Sequence, residues 1–318
     1  MSNKESTWKV GALGFAVDPF PPGLMHIPTD LGTFEVQSDE WLDVRRRGIG
    51  ASDVASILGI PGAFSSPLEI WAQKIGEGYS RKIDDALNEM FHFGNKMEPL
   101  IAEELVERTG YEVRPEPRTL AHPVTSFVQA NLDSWVCVDG VWCPGEFKNA
   151  TAYTLDQWLQ EPPLKYQVQV QAQMYVTGAP MAVMAALVGG CRFLWTTVER
   201  NDEFIAAMVR RLTLFWQMVM DNERPRACEL DIDLLKSLTE TDDELAIVLP
   251  FEAIHWAAQR IGFKEEIKDT QKEVREVDAK IWEALGEAAT GELPDNSGQF
   301  KVSTNKNGTK SLRYRSLK

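Results

Sequence analysis

The chain has 318 residues, of which 44% are hydrophobic and 25% are charged. These proportions are typical of a globular protein, so they exclude a fibrous repeat and a wholly disordered chain. The net charge of -14 argues against a protein that coats nucleic acid non-specifically, because such a protein needs a broad basic surface. The charge leaves room for an enzyme that holds nucleic acid in one cleft.

No apolar run approaches the ~18 residues of a membrane-spanning helix, and the first residues lack the apolar core of a signal peptide. We therefore expect a cytoplasmic protein that does not contact a membrane. The cysteines are too irregularly spaced for a metal cluster, and a reducing cytoplasm disfavours disulfides. We expect reduced structural thiols at Cys137, Cys143, Cys191 and Cys228.

In chain order, the proline-studded residues 1–36 show no helical or strand period and predict an irregular arm. Helical patterns follow. They predict a short helix from Glu40, a helix capped by Ser52, a helix over 67–75 and a longer one over 84–109.

The pattern then alternates between strands and helices. Strands are predicted over 111–115, 118–122, 127–138 and 141–148, with Asp139-Gly140 as a tight hairpin turn between the last two. A helix over 164–177, strands over 181–188 and 192–198, and a helix over 203–220 complete the order. This order predicts an α/β fold with a mixed central sheet flanked by helices.

The composition changes again after residue 228. An acidic stretch leads into a long predicted helix over 251–289, and residues 300–314 predict a basic hairpin around Asn307-Gly308. We predict three regions, which are an arm over 1–36, a main domain over 37–227, and a C-terminal helical and hairpin module over 228–318.

Asp133, Glu146 and Lys148 are the strongest candidates for chemistry. Glu146 and Lys148 are two apart on one predicted strand and share a face. Pairing across the hairpin places residue 132 or 133 opposite Glu146. Two carboxylates can hold Mg²⁺, with Mn²⁺ as a substitute and the carbonyl of Phe147 as a further ligand. The alternative is a surface strand that carries an ordinary Glu/Lys pair.

The predicted helix over 164–177 is rich in glutamine. Gln167 and Gln171 share one face, and Gln169 and Gln173 share another. Amides near a metal site could bind phosphate or water, whereas the alternative is a solvated helix face. Glu98 lies where a helix could aim a third carboxylate at the metal, although most helical glutamates are simply solvated.

Arg45 and the turn Gly50-Ala51-Ser52 form a candidate phosphate site. An arginine, a hydroxyl and the free N–H groups of a helix start are suitable ligands for a phosphate. The alternative is a plain helix cap beside solvent-exposed arginines.

Taken together, these segments resemble the lambda exonuclease family, also called YqaJ-like viral recombinases, within the PD-(D/E)xK nuclease superfamily. The resemblance covers roughly residues 40–220. It rests on the blocks Arg45-Arg46-Arg47-Gly48-Ile49-Gly50-Ala51-Ser52-Asp53, Phe93-Gly94 with Glu98-Pro99, Asn131-Leu132-Asp133 with Glu146-Phe147-Lys148, and Tyr166 with Gln169-Val170-Gln171.

The resemblance implies a phage-encoded, Mg²⁺-dependent exonuclease in the host cytoplasm. Such enzymes degrade one strand of duplex DNA from its 5′ end and leave a 3′ single strand for an annealing protein. It also implies a homo-oligomer, and some family members form a ring of three. The alternatives are a structure-specific or restriction-like endonuclease, and a DNA-end or annealing-protein binding module with a vestigial site.

The resemblance also implies residue roles. Asp133 and Glu146 match the metal ligands and Lys148 matches the water-activating lysine. Glu98 matches the helix carboxylate. The remaining matches are Arg45 and Ser52 as contacts to the terminal 5′ phosphate, Gln169 as polar support of the site, and Tyr166 as a substrate contact beside it.

Overall fold

The computed structural model describes residues 19–36, 38–76, 85–238 and 246–317. The chain divides into two compact units, Met1–Glu240 and Thr241–Lys318. Each unit is described by itself. Within the described residues, no helix is both long enough and apolar enough to cross a membrane.

Serine side chains cap two of the first four helices, α1 and α3. Ser38 Oγ accepts a hydrogen bond from the Trp41 N–H at 3.1 Å, and Ser66 Oγ accepts one from the Glu69 N–H at 2.9 Å. The helices are α1 (Asp39–Arg46), α2 (Val54–Ile57), α3 (Pro67–Ile75) and α4 (Asp85–Thr109). Their predicted positions are confirmed.

The strands of the first unit form two sheets. They are β1 (Thr29–Thr33), β2 (Ile49–Gly50), β3 (Glu112–Pro115), β4 (Arg118–Ala121), β5 (Val128–Asn131), β6 (Ser134–Val138), β7 (Val141–Ala150), β8 (Met181–Val188) and β9 (Arg192–Glu199). One sheet has the order β1-β4-β5-β2 and the other β3-β6-β7-β8-β9. Strands β7 and β8 are parallel, as are β2 and β5, while the other pairs are antiparallel.

Two sequence predictions are corrected here. The single strand predicted over 127–138 is two strands, because the chain bends at Leu132 and Asp133 and passes from one sheet to the other. The predicted irregular arm contains β1, which pairs with β4. The part of the arm over residues 1–18 lies outside the described residues.

The remaining helices of the first unit are α5 (Leu155–Gln160), α6 (Leu164–Thr177), α7 (Asp202–Met220) and α8 (Ile232–Leu238). The predicted bounds of α6 are confirmed. The helix ends at Gly178, whose φ of 71° lies in the left-handed region. The arm closes this end of α6, since the Met25 N–H donates to the Gly178 carbonyl at 2.8 Å.

Helix α6 lies between two buried hydrophobic clusters. Val168, Ala172 and Val176 belong to the cluster that contains α2, α3, β5 and α7, whereas Val170 and Met174 belong to the cluster that contains α4, β7 and β8. A helix buried on two sides is held firmly in place by its packing. Its polar residues are therefore held at fixed positions between the clusters.

The structure divides the chain after residue 240, whereas the sequence placed the boundary at 228. The reason is that residues just after 228 pack on the first unit. Leu234 is buried in its core, and the Ser66 hydroxyl donates to the buried Asp231 carboxylate.

The second unit contains α9 (Ala253–Leu285) and a sheet of β10 (Thr290–Glu292), β11 (Gly298–Thr304) and β12 (Lys310–Ser316). Its strand order is β10-β11-β12 and both pairs are antiparallel. The long helix and the hairpin are confirmed. Strand β10 was missed because its three residues are too few to show a period.

Candidate active site

The β6–β7 hairpin brings the predicted carboxylates together. Ser134 pairs with Gly145, so the preceding residue, Asp133, lies across from Glu146. Asp133 Oδ2 accepts a hydrogen bond from the Phe147 N–H at 2.6 Å. Asp133 was predicted inside the strand, but it lies at the bend between the two sheets. The convergence predicted from hairpin pairing is nevertheless present.

The Glu146 carboxylate is buried, with the residue only 1% exposed, and both of its oxygens are bound. Oε1 accepts a hydrogen bond from Gln169 Nε2 at 2.6 Å and forms a salt bridge with Lys148 Nζ. Oε2 accepts a hydrogen bond from Gln173 Nε2 at 2.5 Å. A buried carboxylate is tolerated when its charge is met in this way.

Gln173 is a site residue that the sequence prediction did not include. It is fully buried, and its Nε2 also lies 3.3 Å from the carbonyl of Asn131. The available signal was its position one helical turn after Gln169, which places both amides on one face. The solvated alternative for this helix face is excluded, because Gln169 and Gln173 both contact Glu146.

The other glutamine face of α6 has a structural role. Gln167 Nε2 donates to the Pro162 carbonyl at 2.7 Å, and Gln171 Nε2 donates to the Glu199 carbonyl at 2.7 Å. These contacts tie α6 to the backbone on either side of it. The two glutamine faces therefore have different roles, because one binds the Glu146 carboxylate and the other anchors the helix.

Negative charge accumulates around Lys148. Burial raises the pKa of Asp133 well above its usual range, and the charge of Glu146 raises it further. Burial also raises the pKa of Glu98 to about 7, so α4 does bring this carboxylate near Lys148 and Glu146, whose charges act on it. Burial lowers the pKa of Lys148, but Glu146 and Asp133 more than offset this and hold it above its ordinary value.

An aromatic cluster borders Lys148. The Tyr166 ring centroid lies 5.2 Å from Lys148 Nζ, and the ring stacks on Trp158 with centroids 5.9 Å apart. Phe64 lies beside it with its centroid at 6.3 Å, and Lys165 Nζ lies 3.7 Å from the Phe64 centroid. Tyr166 is therefore part of the wall of the site, as predicted for a substrate contact. The role of Tyr166 stays a prediction.

Arg45 and Ser52 also converge. A Cβ added at Gly50 would lie 3.7 Å from Ser52 Oγ and 3.8 Å from Arg45 Nη1, so both atoms flank the same point. Arg45 Nη2 donates to Asp53 Oδ1 at 2.7 Å, and Lys74 Nζ donates to Asp53 Oδ2 at 2.8 Å. Asp53 thus holds both cations in place.

The predicted helix cap at Ser52 is wrong. Residues Ala51–Asp53 form a short 3-10 turn, and Asp53 precedes α2. The Asp53 carboxylate accepts from the Gly50 N–H at 3.2 Å and so binds the backbone at the start of this turn, whereas its side chain makes no cap hydrogen bond to α2. Ser52 itself is exposed. Its hydroxyl is consequently available beside Arg45.

The residue set fits a hard divalent cation. Asp133, Glu146 and Glu98 place three carboxyl groups around one lysine, and burial, followed by the charge of Glu146, raises the pKa of both Asp133 and Glu98. Among the described residues, no group of three or more His, Cys, Asp or Glu side chains is arranged to hold a metal ion by itself. Two carboxylates and a backbone carbonyl suit Mg²⁺, which keeps several of its waters.

Comparisons with known proteins identify the family. Residues 40–180 match the YqaJ-like viral recombinase domain. The uncharacterized protein YqaJ of Bacillus subtilis (strain 168) is 32% identical over 287 residues, which cover 88% of this chain and 88% of that protein. The chain therefore belongs to the YqaJ-like viral recombinase family, and the predicted family is confirmed.

Comparison with solved structures found two exonucleases among its matches. An alkaline exonuclease from Laribacter hongkongensis is 22% identical, with a TM-score of 0.48 over 63% of this chain and 97% of that chain. A phage-related exonuclease from Haemophilus somnus 129PT is 12% identical, with a TM-score of 0.40 over 54% of this chain and 93% of that chain.

We expect Asp53→Asn to lower the free energy of unfolding at pH 7 by on the order of 2 kcal/mol, because Arg45 and Lys74 lose their shared carboxylate. Although burial opposes it, the charges of Arg45 and Lys74 lower the pKa of Asp53 from 3.8 to about 2. Its stabilisation is therefore complete above pH 3.8 and is lost as the pH falls through about 2.

Urea unfolding of both proteins at pH 7, 4 and 3 measures this difference. The gap between wild type and variant should be constant down to pH 4 and should shrink below it. Asp43→Asn is the matched control, since Asp43 forms an exposed pair with Arg46, and we expect a change within about 0.5 kcal/mol. Equal losses in the two variants would contradict a special role for Asp53.

Proposed function

We propose that the chain is a divalent-metal-dependent DNA nuclease. Specifically, we propose a Mg²⁺-dependent exonuclease that degrades one strand of duplex DNA in the 5′-to-3′ direction. The 3′ single strand that it leaves would serve a single-strand annealing protein in recombination. The observation that carries the proposal is the convergence of Asp133 and the buried Glu146 beside Lys148. Membership of a viral recombinase family supports the same conclusion.

Asp133 and Glu146 would hold the cation, with the Phe147 carbonyl as a further ligand. A cation bound there would supply a water of lowered pKa and offset negative charge on the scissile phosphate. The amides of Gln169 and Gln173 keep Glu146 in one orientation. That fixed orientation reduces the reorganisation needed when substrate binds.

Lys148 orients the attacking water. Its raised pKa keeps the ammonium group protonated, so it donates hydrogen bonds to that water or to a phosphate oxygen. Its side chain is 25% exposed, which leaves it within reach of substrate while its salt bridge with Glu146 holds it. The Tyr166 ring also lies close to Lys148, with its centroid 5.2 Å from Nζ.

Arg45 and Ser52 would bind the terminal 5′ phosphate and thereby set the starting end. Asp53 binds one nitrogen of the guanidinium, and the other nitrogen lies with Ser52 Oγ beside Gly50. An arginine nitrogen and a hydroxyl are good donors to a terminal phosphate dianion. Lys74, held by the same Asp53, adds positive charge behind them.

We expect the wild type with Mg²⁺ to release acid-soluble nucleotides from linear duplex DNA and to spare covalently closed plasmid. Lys148→Ala should lower the rate by about 10²–10³-fold, because it removes a donor aimed at developing charge. Lys236→Ala is the control, since Lys236 lies on α8 in an exposed pair with Asp233.

Nicking of closed plasmid would favour an endonuclease instead. If Lys148→Ala and wild type released nucleotides equally slowly, the site would be vestigial and the binding-module alternative would stand.

Gln173→Leu tests the newly found amide. Leucine removes the donor to Glu146 Oε2, so we expect the Mg²⁺ concentration for half-maximal activity to rise by about 10- to 100-fold. Gln167→Leu is the matched control on the other face of α6, because it removes a backbone contact without touching Glu146. A purely structural role would instead lower the unfolding midpoint of both variants and leave the Mg²⁺ requirement unchanged.

Arg45→Ala tests the starting end. Removing the 5′ phosphate from linear duplex should slow the wild type by about tenfold or more, since a charge-assisted contact is lost. Arg45→Ala should be slow on both substrates and show no difference between them. Arg46→Ala is the neighbouring control and should keep the preference, because Arg46 pairs with Asp43 at the surface. Equal wild-type rates on the two substrates would argue against a 5′-phosphate site.

A further inference from the structure

We propose that one face of the sheet in the second unit binds the phosphate backbone of duplex DNA. We call this surface the basic face and define it by Lys301, Arg313 and Arg315. The proposal concerns binding alone, so it does not depend on hydrolysis by the first unit.

Strand register assembles the basic face. Lys301 on β11 is directly opposite Arg313 on β12, and Gln299 is opposite Arg315. Residues two apart on a strand share a face, so Arg313 and Arg315 both project on the side of Lys301. All three cations are exposed. With neighbouring strands ~4.8 Å apart, the cations form one compact group.

The middle of the opposite face of the hairpin is apolar. Phe300 and Tyr314 pack on each other with ring centroids 5.1 Å apart, and they alternate with the basic residues along the strands. Val302 and Leu312 are directly opposite each other on that apolar side. The sheet is therefore two-sided, and its charged side is set by the alternation of the strands.

Acidic partners are scarce around the basic face. Residues 298–317 contain five lysines and arginines and no aspartate or glutamate. Glu292 on β10 lies opposite Gln299, in the row that also holds Arg315. Among the described residues, no ion pair neutralises Lys301, Arg313 or Arg315. In a chain with a net charge of -14, this is a local reversal of sign.

Like charges directly across a ladder destabilise a sheet. Protection of an edge strand against aggregation explains charged residues on β12, which is at the edge. It does not explain Lys301, because β11 is the central strand. A polyanion bound to this face would remove the repulsion between Lys301 and Arg313.

The side chains of the basic face favour a nucleic acid over an acidic protein. Ser303 and Ser311 extend the face with hydroxyls, and Gln299 adds an amide, so every side chain on it is polar. Such residues, with lysine and arginine, are the usual contacts to phosphate and sugar. A protein interface needs an apolar centre, which this face lacks. Duplex DNA carries one negative charge per ~1.7 Å of its axis, so its phosphates are dense enough to contact every cation of the basic face.

The test measures binding of a fluorescent duplex to the full chain in EDTA, where no metal-dependent hydrolysis occurs, by anisotropy over a range of salt concentrations. The variant is Lys301→Gln with Arg313→Gln. The matched control is Lys306→Gln with Lys310→Gln, which removes the same charge from the turn and from the side opposite to Arg313.

We expect the basic-face variant to bind about tenfold more weakly and its salt slope to fall by about 2, since two phosphate contacts are lost. The control should keep the wild-type slope. Arg313→Lys should also keep it, because the charge is retained. Thermal unfolding should show that the basic-face variant is at least as stable as wild type, since it loses a like-charge pair.

Equal losses in the basic-face variant and the control would overturn the proposal, because only net charge would then matter. An unchanged affinity in the basic-face variant would overturn it as well and would assign the face to an acidic protein. A chain that binds duplex through the basic face but fails to hydrolyse it would keep this inference and sink the proposed nuclease activity.

Discussion

The structure depends on how the buried charge of Glu146 is met. A carboxylate taken out of water without partners costs several kcal/mol, and in this chain Glu146 lies in the central sheet, on the strand between β6 and β8. Its partners come from one neighbour on the same strand, Lys148, and from two amides on α6. Helix α6 must therefore lie over this part of β7, which constrains the crossover that links β7 to β8.

The same requirement explains the attachments of α6. Gln167 and Gln171 bind backbone carbonyls on either side of it, and the arm closes its C-terminal end through Met25 and Gly178. A side chain at Gly178 would meet the backbone nitrogen of His26 at 2.8 Å, so glycine is needed there for space as well as for its positive φ. The parts that hold the helix are thus distant in sequence from the carboxylate they serve.

Sequence reasoning succeeded where the signal is local. The bounds of α6, β8 and α7 follow from hydrophobic periods and end signals, and the meeting of Asp133 with Glu146 follows from the hairpin at Asp139-Gly140. It failed where tertiary contacts decide. The bend at Asp133 was missed because apolar and polar residues alternate from Val128 to Asp133, so the strand pattern continues into β6.

Other errors have the same origin. The sequence placed a Ser52 cap at the start of α2, but the N-cap position is Asp53, whose carboxylate binds the Gly50 N–H and Lys74 of α3 instead of the helix. Gln173 shares a helix face with Gln169, but its contact with Glu146 follows from its depth in the fold, which the local pattern does not show. The pattern therefore indicated the chemistry of the site, while packing selected the residues that complete it.

The two units hold their positive charges in different ways. A net charge of -14 repels a polyanion at a distance, but ions screen that repulsion beyond roughly 10 Å at 0.1 M salt. Contact then depends on local cations, and in the first unit acidic side chains hold individual cations in fixed orientations. Asp53 orients Arg45, and Glu146 orients Lys148. The acid offsets part of the positive charge of each such cation and fixes the direction of its side chain. A cation held in this way is better suited to recognising one phosphate than to coating a duplex. Among the described residues, no acid pairs with the cations of the basic face, so the proposed contribution of that face is attraction to phosphate without a fixed direction.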